Sequence, residues 1–126
     1  MRLLLSLTLV IALIIGLGVW VNYSLAVAAE DLTELIHQVT REVERENWQA
    51  ANGKMKSLEK QWDETGVWWP VVMDHQEIDN IDFSLAKLKE YIATNDRSLS
   101  MGYLSELKLM ILHLPENEAV NLKNIL

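Results

Sequence analysis

His75, Asp79 and Asp82 are spaced i, i+4 and i+7 within Asp74-His75-Gln76-Glu77-Ile78-Asp79-Asn80-Ile81-Asp82. On a helix that spacing projects one imidazole and two carboxylates from one side, a donor set able to bind a divalent cation. His113 comes near His75 and Asp79 if the two helical stretches pair antiparallel about residue 96. These four residues are the metal candidates. The same acidic residues also complement the positive end of a helix dipole, which needs no metal. The Glu-x-x-His pairs and further Glu residues of di-metal carboxylate bundles are missing. Neither a nucleophile elbow nor a glycine-rich phosphate loop is present. The chain is therefore read as a non-enzyme that requires no cofactor. The alternative is a metal-binding or hydrolytic envelope protein that uses the His75, Asp79 and Asp82 face.

Apolar residues placed where a core cannot take them suggest contact with another molecule. Trp48 and Trp62 lie on a helical stripe and are read as core. Trp68 and Trp69 are adjacent, so on a helix they point about 100° apart and cannot easily share one small core. Core packing is favoured for Trp68, and Trp69 is divided between core and contact site. In the fourth soluble stretch, Tyr103, Leu104, Leu107, Met110, Ile111 and Leu114 form one face, while Met101, Leu109 and Leu112 add apolar surface elsewhere. Trp68, Trp69, Leu109 and Leu112 are therefore the candidate interaction residues. His37 is read as a surface residue.

The elements that position these residues are helical throughout. Leu32, Leu35, Ile36, Val39 and Val43 form a first stripe. A second, Trp48, Ala51, Met55, Leu58 and Trp62, is rotated from it, which requires a break near Asn47 with Asn47 as N-cap. Asn52-Gly53 is kept inside this helix, and Gly66 is its expected C-cap. The third stripe is Val67, Val71, Ile78, Ile81, Leu85, Leu88 and Ile92. Its helix starts near Trp68 or at the capping box Asp74-x-x-Glu77, and the earlier start is preferred because Val67 and Val71 already lie on the stripe. Asp96 or Ser98 caps the fourth helix, Pro115 is expected to stop it, and Glu116 to Leu126 form a last short helix. Short connections favour antiparallel neighbours.

Ahead of all this, Leu3 to Val21 form an uncharged apolar run. Roughly 20 such residues cross the ~30 Å hydrocarbon core of a bilayer. Arg2 and the amino terminus precede the run, while Glu30, Asp31 and Glu34 follow it, so the amino terminus is expected in the cytoplasm and the rest outside. Ala26-Val27-Ala28 offers a signal-peptidase site, and secretion after cleavage near Ala28 is the alternative. The run is longer than a signal peptide's usual apolar region, and Trp20 with Tyr23 suits an interfacial belt, so a retained anchor is favoured. The expected division is an anchor over 1–28 and an extracytoplasmic domain over 29–126. A net charge of −7 excludes a basic nucleic-acid footprint, and the absence of cysteine excludes disulfides and thiolate metal sites.

The hydrophobic start and Trp-rich middle, with His75-Gln76-Glu77-Ile78-Asp79-Asn80-Ile81-Asp82, Ser84-Leu85-Ala86-Lys87-Leu88 and the closing Asn121-Leu122-Lys123-Asn124-Ile125-Leu126, resemble the DUF4363 family. The resemblance implies a short bacterial protein with one N-terminal hydrophobic segment. It transfers no catalytic or ligand residue, although residues 75–82 carry much of it. The expected architecture is all-α: an N-terminal transmembrane helix followed by a small antiparallel bundle of four to five helices. The expected role is binding or scaffolding another envelope or membrane protein, or self-association.

Overall fold

The computed structural model describes residues 1–66 and 74–125, the last eleven of these through their backbone alone. Among them are four helices and no strand: α1, Arg2–Glu44; α2, Trp48–Thr65; α3, His75–Ala93; and α4, Arg97–Ile125. The 43 residues of α1 join the apolar run to the first amphipathic stripe without interruption, a rod of about 65 Å. Its apolar N-terminal part is long enough to cross a membrane and is not buried within the fold. The same composition also suits a signal sequence. From Leu25 onward the rod becomes a bundle helix, burying Leu25, Ala28, Ala29, Leu32, Ile36, Val39 and Val43 at steps of one, three or four.

α1 packs against α2 and α4, and α3 completes the ring by packing against both of those neighbours. The shared core takes Ala51, Met55, Leu58 and Trp62 from α2, and Ile81, Leu85, Leu88 and Ile92 from α3. From α4 it takes Leu104, Leu107, Ile111 and Leu114. Each large aliphatic side chain so buried contributes about 1.5–3 kcal/mol against the entropy of ordering the chain. Polar side chains do not alternate along any element, and burial at helical spacing explains why this chain forms helices rather than strands.

The helix ends follow local chemistry. Glu46, at φ 56°, reverses the chain after α1, and the Asn47 N–H reaches back to the Glu42 carbonyl at 2.9 Å. Asn47 then caps α2 by accepting from the Ala50 N–H at 3.4 Å. Asn95, at φ 58°, repeats the device after α3, and Asp96 caps α4 by accepting from the Leu99 N–H at 3.0 Å. Gly53 stays inside α2. Gly66 ends that helix with a negative φ of −75°. Its role is close approach: a Cβ there would lie 3.0 Å from the Trp62 carbonyl oxygen.

Two expected boundaries are corrected. α3 does not run from Trp68 through Asp74, because Asp74 is extended at ψ 132° and accepts from the Gln76 N–H at 3.1 Å. The apolar spacing continues across this cap, but spacing cannot show that the backbone between is one helix. Val67, Trp68, Trp69, Pro70, Val71 and Met73 lie outside the described residues. At the other end Pro115 does not stop α4, which continues to Ile125 with no separate final helix. Proline removes one N–H and costs roughly 3 kcal/mol inside a helix. The well-buried turns before it supply an established helix to extend.

Candidate interaction surface

α3 stands between α2 and α4, and its two polar flanks face different neighbours. The flank carrying Asp82 faces α2, where the buried Trp62 donates its indole N–H to Asp82 Oδ1 at 2.6 Å. Lys89 and Glu59 pair across the same interface at 3.7 Å. The opposite flank faces α4 and forms a groove of about 300 Å³ lined by Glu77, Asn80, Ile81, Met110, His113 and Leu114. His113 therefore lies at the expected height but on the other side of α3 from the expected face. Positions 75, 79 and 82 are turned more than 90° from Ile81 around the helix, whereas 77 and 80 turn toward α4. His75 and Asp79 are exposed. Among the described residues, no three His, Asp or Glu side chains gather as a metal set.

The Trp62–Asp82 hydrogen bond was not anticipated from sequence. An acid 20 positions after a core tryptophan carries no local signal. Only the antiparallel return of α3 brings the two together.

The interaction candidates divide similarly. Trp68 and Trp69 lie outside the described residues. Leu109 and Leu112 are 57% and 43% exposed. The core row of α4 is Ser100, Leu104, Leu107, Ile111 and Leu114. At 100° per residue, Gly102, Ser105, Leu109 and Leu112 form a second row on the opposite side. Nothing lies within 4 Å of a Cβ built on Gly102. The lower end of this row borders a groove against α1, about 550 Å³ in volume, where Leu112 joins Ala26, Ala29, Thr33 and His37. Its rim carries Glu30, Asp31 and Glu34.

Charge is distributed along the bundle axis. The end nearest the apolar half of α1 holds Glu30, Asp31 and Glu34, together with Asp63 and Glu64 from α2 and Asp74, Glu77, Asp79 and Asp82 from α3. Part of that charge is paired: Arg41 lies 3.6 Å from Glu34, Lys60 3.9 Å from Glu64, and Lys89 shares a groove with Asp63 and Asp82. A partner meeting the acidic end is favoured if it is basic.

Neither the curated proteins nor the solved structures include a match to this chain. The family comparison does: residues 19–125 match the model of DUF4363, a domain of unknown function. The match begins in the last turns of the apolar run and covers the whole four-helix bundle, so this chain belongs to the DUF4363 family.

Proposed function

We propose that this is a single-pass membrane protein with an extracytoplasmic helical domain that binds another envelope or membrane protein through the outer side of α4. One observation carries the reading: Leu109 and Leu112 are exposed on a helix whose opposite side already fills the core. Burying two such leucines in an interface removes the cost of holding them in water. The acidic rim beside Leu112 adds charge selection and favours a basic partner. The flanking charges of the apolar run support the cytoplasmic amino terminus.

The test joins topology to binding. The chain has no cysteine, so Ser57→Cys, on an exposed turn of α2, is labelled by an impermeant maleimide in intact cells if the domain is outside. The full-length chain, captured after mild cross-linking, is expected to bring down one reproducible partner that Leu109→Ser/Leu112→Ser loses. Labelling only after lysis would reverse the topology. A partner retained by the double variant would remove α4 from the interface.

A further inference from the structure

A groove of about 400 Å³ lies between α1 and the last turns of α2, where the apolar run of α1 ends. Trp20, Tyr23 and Val27 line its lower part, and Asp31, Gln61 and Thr65 its upper part. Because α1 is one unbroken helix, Trp20 and Asp31 are separated by about 16 Å along the axis. If α1 spans the bilayer from Leu3 to Val21, that interval runs from the hydrocarbon edge through the headgroup layer. Trp20 and Tyr23, 60% and 69% exposed, then stand at the height of an interfacial aromatic belt.

The lining is graded like an amphiphile: aromatic and aliphatic below, polar and carboxylate above. Among the described residues its lining contains no lysine or arginine, so an anionic headgroup finds no cation among them. An ammonium finds the Asp31 carboxylate at the upper end, and acyl chains find the Trp20 ring at the lower end. Thr65 Oγ1 donates to the Gln61 carbonyl at 2.6 Å, and Gln61 Nε2 to Thr65 Oγ1 at 3.4 Å, which fixes the α2 wall. We propose that this groove holds the headgroup of an amine-bearing zwitterionic phospholipid of the phosphatidylethanolamine class. Its ammonium pairs with Asp31, its glycerol ester carbonyls, about 10 Å lower, meet the Ser24 and Tyr23 hydroxyls, and its acyl chains descend along Trp20. The site rests on the reading that α1 spans the membrane.

The test places the full-length chain in nanodiscs of equal phosphatidylethanolamine and phosphatidylglycerol and reads retained lipid by native mass spectrometry. The wild type is expected to retain the amine lipid preferentially. Asp31→Asn, at an exposed position, lowers that ratio roughly three- to five-fold, the scale of a partly exposed ion pair. Val27→Trp fills the groove and abolishes the preference, while Asp63→Asn, outside the groove, leaves it intact. No preference, a preference for the glycerol lipid, or a preference that both groove variants keep would overturn the site. Extraction of the chain from vesicles by alkaline carbonate would overturn the spanning reading, and the site with it. A carbonate-resistant chain without lipid preference would overturn the site alone.

Discussion

Removing either partner of the Trp62–Asp82 hydrogen bond should destabilise the bundle, and the two losses should not add. Trp62 is 5% exposed, and its indole N–H meets a carboxylate oxygen at 2.6 Å across the α2–α3 interface. A hydrogen bond to a charged group contributes about 1.5–3 kcal/mol in general. Asp82 is exposed, and competing water brings the expectation to about 1–1.5 kcal/mol for Asp82→Ala. Trp62→Phe loses the same bond together with ring volume from a packed site, costing about 2–3 kcal/mol. In the double variant the hydrogen bond is lost only once, which leaves a coupling of about 1 kcal/mol. At 4–8 °C per kcal/mol for a domain of this size, Asp82→Ala lowers Tm by roughly 4–12 °C. The assay is thermal and urea unfolding of the full-length chain in detergent micelles, followed by circular dichroism. Additivity within about 0.3 kcal/mol would refute the reasoning and show that water replaces either partner without cost.

Other substitutions separate core from surface. Ser100 is fully buried, and among the described residues its Oγ has no hydrogen-bond partner, so Ser100→Ala is expected to raise stability by about 1 kcal/mol in the same unfolding assay. Leu107→Ala, at 0% exposure on the inner row of α4, costs about 3 kcal/mol. Leu109→Ser, on the outer row, changes unfolding by no more than about 0.5 kcal/mol. Divalent cations leave the wild-type Tm unmoved; a site built on His75, Asp79 and Asp82 would instead raise it by mass action and lose that rise in His75→Ala.

Helix identity was legible wherever local chemistry determines it. Asn47 and Asp96 reveal their helix starts because a short polar side chain can satisfy an orphan N–H within its own first turn. The rotation between the first two stripes likewise requires a break, and the structure places it at Glu46 and Asn47. Pro115 misled because its cost is local, whereas helix continuation reflects the turns already formed before it. The start of α3 was misplaced for a related reason: hydrophobic spacing persists through the extended Asp74. The side of α3 that His113 approaches was not legible at all. It depends on whether α2 or α4 packs on a given flank, and periodicity within α3 carries no information about its neighbours. The same non-locality hid the groove between Trp20 and Thr65, whose walls come from residues some 40 positions apart.

The protein-binding reading rests on one side of one helix, so a photo-cross-linking scan along α4 tests it most directly. A photoreactive residue is placed in turn at Gly102, Ser105, Glu106, Leu109 and Leu112 of the full-length chain in producing cells, with Lys56 on the exposed side of α2 as control. Cross-links to one protein are expected from 102, 105, 109 and 112, weaker capture from 106, and none from 56. Equal capture at every position, or capture from 56 with none from 109 and 112, would contradict the reading.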